Sequence, residues 1–85
     1  MIHYRKHYRL IIVRNFLSTG RAVLETRDFY NMDAAIASME CHAEQFENSW
    51  PENDVHCYML DFGGTLYYEP KDGEHIREDL SIERI

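Results

Sequence analysis

One long segment of the chain, residues 32–50, carries apolar side chains at helical spacing. These positions lie three or four residues apart, which places them on one face of a helix. Asn31 or Asp33 can cap the first turn with a side-chain oxygen, and Pro51 ends the helix because proline disfavours helical geometry at the residue before it. The pattern predicts one amphipathic helix, and its buried stripe consists of Ala35, Ile36, Met39, Ala43, Phe46 and Trp50.

The segments before this helix alternate between the two faces of an extended chain, which is the period of a β-strand. Residues 3–16 form the first such run and residues 21–30 form the second. The residues between them, Ser18, Thr19 and Gly20, suit a turn because glycine adopts positive φ without steric cost. The sequence therefore predicts an antiparallel hairpin before the helix.

Two further runs follow the helix, at residues 55–62 and 65–69, and both are rich in aromatic and β-branched side chains. Gly63 and Gly64 separate them, and two glycines between such runs are a strong signal for a hairpin turn. This turn predicts a register in which Phe62 lies opposite Thr65, Leu60 opposite Tyr67 and Met59 opposite Tyr68.

The last segment, residues 75–85, allows two interpretations. Ile76 and Leu80 can share one face of a short helix, whereas Leu80 and Ile82 alternate with polar residues as they do in a strand. We expect a helical turn or loop after the turn at residues 70–73, and then a short final strand. The whole pattern predicts a single α+β domain over residues 1–85, in which a ββαββ order gives an antiparallel sheet of two hairpins covered on one face by the central helix.

The composition is that of a folded globular chain, with 45% apolar and 13% aromatic residues. The longest aliphatic run, residues 10–13, is too short to span a bilayer, and the first residues lack the apolar core of a signal peptide. We therefore expect a cytoplasmic protein with no membrane contact. Cys41 and Cys57 are expected to be reduced thiols, because no secretory signal accompanies them.

Charge is distributed unevenly along the chain. The net charge is −6, but residues 1–24 carry five basic side chains and no acidic one, whereas the rest carries four basic and fifteen acidic side chains. The helix adds to this asymmetry, because its acids gather on one flank of the buried stripe and its uncharged polar groups on the other. The acidic flank consists of Asp33, Glu40, Glu44 and Glu47, and the other flank of Ser38, His42 and Ser49.

Catalytic and metal-binding signals are weak in this sequence. The pairs Cys41-His42 and His56-Cys57 each offer only one ligand to a common site, because adjacent side chains point in different directions on a helix or a strand. No glycine elbow surrounds a serine, and no phosphate-binding loop follows the two glycines. We therefore expect no enzyme activity, no metal and no cofactor.

The surface is the more informative part. Tyrosines framed by acids suit an interface with a basic protein partner, because such side chains combine apolar contact with charge complementarity. The candidate acidic contacts are Glu40, Glu44, Glu47, Asp61, Glu69 and Asp72. The candidate aromatic contacts are Tyr58, Tyr67 and Tyr68.

Two alternatives remain open at this point. One is a nucleic-acid-binding module, because basic residues interleaved with aromatic ones can contact phosphates and stack on bases. Its candidate residues are Tyr4, Arg5, Lys6, Tyr8 and Arg9, although the acidic isoelectric point of about 5.2 opposes it. The other alternative is a structural homodimer.

In size, acidity and predicted plan, the chain is similar to the short inhibitors that bacterial viruses encode against host defences, such as anti-CRISPR and anti-restriction proteins. The resemblance concerns general character and involves no motif, so it assigns a role to no residue. It implies a non-enzymatic inhibitor that occludes a basic site on a larger nucleic-acid-handling machine. In such an inhibitor Glu40, Glu44 and Glu47 can stand in for a row of phosphates, since one helical turn rises about 5.4 Å.

Overall fold

Two hairpins, a helix between them and a final strand make up the fold. The structure, a computed structural model, describes residues 5–85. In chain order the elements are β1 (Tyr8–Phe16), β2 (Arg21–Phe29), α1 (Met32–Asn48), a short 3-10 helix (Glu52–Asp54), β3 (Val55–Leu60), β4 (Gly63–Tyr68) and β5 (Ile76–Arg84). The strands form one open antiparallel sheet in the order β2-β1-β5-β4-β3. The predicted α+β class is confirmed.

The final strand, β5, is longer and more central than predicted. It pairs with β1 along nine residues and with β4 on its other side, so it joins the two hairpins. The predicted final strand is present, but it is not short, and the helical turn or loop expected before it is limited to residues 74 and 75, which are irregular. The strand was predicted too short because of Glu78, an acid at an inward-facing position that interrupts the apolar alternation. Only Ile76 and Leu80 remain as apolar inward residues before Ile82, and their spacing of four fits a helix as well as a strand.

The first hairpin has the predicted turn but a shorter first strand. Gly20 has a φ of 71°, as the turn requires, and β1 begins at Tyr8. The predicted extension of this strand over residues 5–7 is wrong, because β2 ends at Phe29, opposite Tyr8, and offers no further strand partner. Positions 3 and 4 lie outside the described residues.

The second hairpin turns at Asp61 and Phe62, so the predicted turn at the glycines is wrong. Leu60 lies opposite Gly63 and Met59 opposite Gly64, and Phe62, Tyr67 and Tyr68 therefore do not take their predicted partners. A Cβ at Gly63 would lie 2.7 Å from the backbone oxygen of Leu80, which explains why β4 needs this glycine for close approach to β5. The register differs by an even number of residues, so every side chain keeps its predicted face.

The core lies between α1 and the face of the sheet that α1 covers. Asn31 caps the helix by accepting a hydrogen bond of 2.8 Å from the amide of Ala34, and the helix ends at Asn48 instead of residue 50. Trp50 still packs on the core, because its ring stacks on Tyr68 with 4.0 Å between centroids. The buried apolar side chains are Leu10, Ile12, Ala35, Met39, Ala43, Phe46, Val55, Leu66, Ile76 and Leu80.

The opposite face of the sheet is covered by no other element of residues 5–85. Charged and polar side chains cross it in ion pairs, of which Arg9–Asp28 and Arg77–Asp79 are examples. Within the same residues no helix is both long and apolar enough to cross a membrane. The open face also carries exposed apolar side chains, among them Leu24, Tyr58 and Leu60.

The central position of β5 can be tested at Leu80. Leu80→Ala is expected to lower the free energy of unfolding by about 2–5 kcal/mol, because the buried leucine leaves a cavity between α1 and the sheet. Ser81→Ala, at the next and exposed position, is expected to change it by less than about 0.5 kcal/mol. Urea denaturation followed by circular dichroism measures both variants, and equally small effects would contradict a central β5.

Candidate functional site

An acidic groove runs between the helix and the edge strand β3. The carboxylates of Glu40, Glu44 and Glu47 form its helical wall, all on exposed residues, whereas Met59 and Leu60 belong to the opposite wall. The groove has a volume of about 210 Å³, and its complete lining is Met39, Glu40, Ala43, Glu44, Glu47, Cys57, Met59 and Leu60. The acidic flank predicted from the helical spacing therefore faces the edge of the sheet.

Cys57 reports the electrostatics of this groove. Its side chain is half-buried beneath the helix, and both cysteines of the chain are free thiols. Burial raises the pKa of the Cys57 thiol, and the negative charge of Glu47 raises it further. The half-buried thiol therefore lies within the negative potential of the groove, to which Glu47 contributes.

An exposed apolar surface lies at the closed end of the β3–β4 hairpin, next to the groove. We call this surface, formed by Tyr58, Met59, Leu60 and Phe62, the hairpin tip. Leu60 is 76% exposed, Tyr58 63% and Phe62 55%. An open recess of about 870 Å³ lies beside it, lined by residues 58–65 together with Asp79 and Leu80. Clustered exposed apolar side chains of this kind are typical of contact surfaces.

The candidate contacts fall into two groups in space. Asp61 lies in the turn of the hairpin tip, and Tyr58 and Tyr67 meet edge to face there with 5.9 Å between ring centroids. Glu69 and Asp72 follow β4 at the opposite end of the hairpin, about 20 Å away along a strand of this length. Tyr68 faces the helix and stacks on Trp50, so much of its ring is used in the core.

The candidate nucleic-acid-binding residues from Tyr4 to Arg9, which we call the basic arm, offer less unpaired positive charge than the sequence suggests. Tyr4 lies outside the described residues, and Arg5 and Lys6 are exposed. Arg9 donates two hydrogen bonds, of 2.8 and 3.1 Å, to the carboxylate of Asp28, and this contact holds the pKa of Asp28 below its usual value. Tyr8 is half-buried on the helix side of β1. Tyr8 and Arg9 therefore lie on opposite faces of β1, and Asp28 pairs the cation of Arg9.

A buried polar cluster is the feature that the sequence did not reveal. Glu78 is only 1% exposed, and its two carboxylate oxygens accept hydrogen bonds from Arg14 on β1 and from His42 on α1. Burial by itself raises the pKa of Glu78, but the hydrogen bonds and charges of His42 and Arg14 outweigh it, so the pKa lies below the ordinary value. The only sequence signal was an acid between two apolar inward positions.

This cluster has the carboxylate–histidine pair of a catalytic triad, but the nearby serine, Ser38, does not bond to the histidine. A carboxylate that orients a histidine is part of several hydrolytic centres. The cavity beside it has a volume of about 260 Å³ and is lined by Ile12, Arg14, Val23, Glu25, His42 and Glu78. Ser38, one helical turn before His42, accepts a hydrogen bond of 3.1 Å from Arg27 instead of donating one to the histidine. The cluster is consistent with a structural tie between α1, β1 and β5.

Comparison of the chain with models of known protein families, with curated proteins and with solved structures finds no match. Among residues 5–85, no group of three or more histidine, cysteine, aspartate or glutamate side chains is arranged to hold a metal ion. The acidic groove, the hairpin tip and the buried cluster are therefore the features of the molecule that bear on its function.

The buried cluster predicts a specific pH dependence. Because its pKa is lowered in the folded protein, Glu78 contributes stability above the pKa of an unfolded glutamate, about 4.3, and this stability is lost as pH falls through the folded value. Glu78→Gln is expected to cost about 3 kcal/mol at pH 7, since it removes one partner of a buried ion pair.

The measurement is urea denaturation of the wild type and Glu78→Gln at neutral pH and at about pH 3. The difference between the two proteins in the free energy of unfolding is expected to shrink at the acidic pH. Glu83→Gln, at an exposed position further along β5, serves as the matched control and is expected to change little. A difference that is constant between the two pH values would contradict the charged state of Glu78.

Proposed function

We propose that this protein is a small acidic protein-binding module without enzyme activity, which acts in the cytoplasm and occludes a basic site on a larger partner. The partner class that fits best is a nucleic-acid-handling protein, because such proteins carry basic surfaces that already select for negative charge. In this proposal the binding surface is the acidic groove together with the hairpin tip.

The observation that carries the proposal is the contact between these two surfaces. Exposed apolar side chains at the hairpin tip adjoin three carboxylates on α1, and Met59 and Leu60 belong to both. An apolar centre bordered by charge is the usual composition of a protein interface, and the charge sets the sign of the partner.

The charges of this surface are also available to a partner. No ion pair within residues 5–85 involves Glu40, Glu44, Glu47 or Asp61. In contrast, Asp28, Glu78 and Asp79 elsewhere in the sheet are each paired with an arginine. Part of the surplus negative charge of the chain therefore lies unpaired on the side of the helix that faces β3, at Glu40, Glu44 and Glu47.

The three helical carboxylates lie in a line along one flank of α1. Glu40 and Glu44 are separated by a rise of about 6 Å, and Glu47 continues the row about 4.5 Å further on. Such a row presents negative charge at intervals comparable to those of a phosphate backbone. A partner that binds nucleic acid through a row of lysines and arginines can therefore bind this flank instead.

Triple charge reversal tests the proposal. Glu40→Lys, Glu44→Lys and Glu47→Lys in one variant are expected to weaken partner binding by at least tenfold without loss of folding, because all three side chains are exposed. The wild-type protein first captures its partner from nuclease-treated lysate, and the purified partner is then titrated against wild type and variant by calorimetry.

The matched control reverses three exposed acids away from the groove, by Glu52→Lys, Glu69→Lys and Asp72→Lys. Glu69 and Asp72 are contacts suggested by the sequence that lie outside the proposed binding surface. It changes the net charge by the same amount, and we expect it to keep most of the affinity. Equal loss in both variants would show that overall charge is recognised instead of the acidic groove. Capture that requires nucleic acid would instead favour a nucleic-acid-binding module that uses the basic arm.

A further inference from the structure

The two edge strands of the sheet differ in how they are protected. An exposed edge presents unpaired backbone groups, and proteins usually protect it with charged side chains, proline or a bulge. The edge strand β2 carries four charged residues, Arg21, Glu25, Arg27 and Asp28. The edge strand β3, with the sequence VHCYML, carries no lysine, arginine, aspartate, glutamate or proline. The β3 edge is therefore the one that can accept another strand.

The free backbone groups of β3 can be identified from the ladder. The amide of Glu69 donates a hydrogen bond of 2.8 Å to the carbonyl of Asp54, which marks residues 54 and 69 as a hydrogen-bonded position of the β3–β4 ladder. Such positions alternate along antiparallel strands. The backbone groups of His56, Tyr58 and Leu60 consequently bond to β4, whereas those of Cys57 and Met59 point away from the sheet. The carbonyl of Val55 also points away, but its amide already donates to the carbonyl of Glu52.

The same edge opens on the acidic groove. The side chains of Cys57 and Met59 line the groove from β3, and Glu40, Glu44 and Glu47 line it from the helix. Alternate side chains of a strand added at this edge would face the helix side of the sheet, about 6.6–6.8 Å apart. That spacing is close to the rise of about 6 Å between Glu40 and Glu44.

Charge selects the occupant of this edge. A second copy of the chain pairing through β3 would bring two sets of glutamates together, and both copies carry a net charge of −6. Like charges placed opposite one another at an interface cost several kcal/mol. A strand with lysine or arginine at alternate positions gains the opposite interaction.

We propose that an extended basic segment of a partner protein adds to the sheet as a sixth strand along β3 and places its basic side chains in the acidic groove. Backbone hydrogen bonds to the carbonyl of Val55 and to Cys57 and Met59 hold the segment, and the glutamates of α1 select its sequence. The inference rests on the proposed function, which it deepens by naming how the basic partner binds.

Two synthetic peptides test this mode of binding. The first is about ten residues long and alternates lysine with valine or threonine, and the second has the same sequence and charge but backbone N-methyl groups on two lysines and on the two apolar residues next to them. An N-methylated nitrogen cannot donate to a ladder, so the second peptide keeps the charge but loses the ability to add as a strand in either direction. Fluorescence anisotropy at low ionic strength is expected to show at least tenfold tighter binding of the alternating peptide.

The matched variants are Met59→Pro and Met59→Thr. Proline removes an outward-facing amide that β4 does not use, and edge strands tolerate it, whereas threonine keeps the amide and suits a strand. Met59→Pro is expected to bind the alternating peptide at least tenfold more weakly than Met59→Thr, which removes the same side chain but keeps the amide. Hydrogen exchange on the wild type gives an answer independent of any variant, because the amides of Cys57 and Met59 are expected to slow when the peptide binds.

Each contrary result identifies what is wrong. Equal binding of the two peptides, equal affinity of Met59→Pro and Met59→Thr, no slowing of the two amides, or no binding of the alternating peptide overturns strand addition. The proposed function survives those results if triple reversal at Glu40, Glu44 and Glu47 still abolishes binding to the captured partner, and it fails if reversal has no effect. A wild-type dimer in analytical ultracentrifugation that Met59→Pro dissociates overturns the basic partner in favour of a second copy.

Discussion

The structure depends on the pairing of β5 with two strands at once. Without it the chain would consist of two separate hairpins and a helix, and an isolated two-stranded hairpin is marginally stable at best in water. Nine residue pairs with β1 and six with β4 convert these parts into a continuous sheet. The helix can then bury its apolar stripe against both halves of the sheet, and the acidic groove forms where the helix passes the edge of the second hairpin.

The same strand brings a charge into the core. Glu78 occupies an inward position of β5, where an apolar side chain would be expected, and Arg14 and His42 satisfy its oxygens from two other elements. A buried ion pair is weak support for stability, because desolvation offsets much of the attraction. The cluster instead fixes how three elements are placed relative to one another. The carboxylate accepts both hydrogen bonds only when α1, β1 and β5 are in their observed relative positions.

The parts of the fold that the sequence predicted correctly are those with a local pattern. The helix follows from one period of apolar residues, and the first hairpin follows from alternation around Gly20. The second turn was misplaced because glycine has two uses, and Gly63 serves the approach of β4 to β5 instead of a positive φ. The role of β5 was missed because Glu78 interrupts the apolar alternation.

The candidate surface, like the fold, was predicted from the sequence only where a local pattern defines it. A helical wheel places Glu40, Glu44 and Glu47 on one flank, but it does not contain the information that this flank faces an unprotected strand. The buried cluster lay further out of reach, because Arg14 and Glu78 are 64 residues apart in the chain and meet only through the sheet. Contacts between residues so distant in sequence depend on strand order, which local periodicity does not determine.

The position of β5 also sets the order in which the molecule can assemble during synthesis. Both hairpins and the helix are synthesised before residues 76–84, yet the two halves of the sheet have no direct ladder with each other. The nascent chain must therefore carry an unpaired edge of β1 until β5 arrives, and closing so long a loop is entropically costly. Folding of this small protein is thus expected to be late and cooperative, with the last strand acting as the closing step.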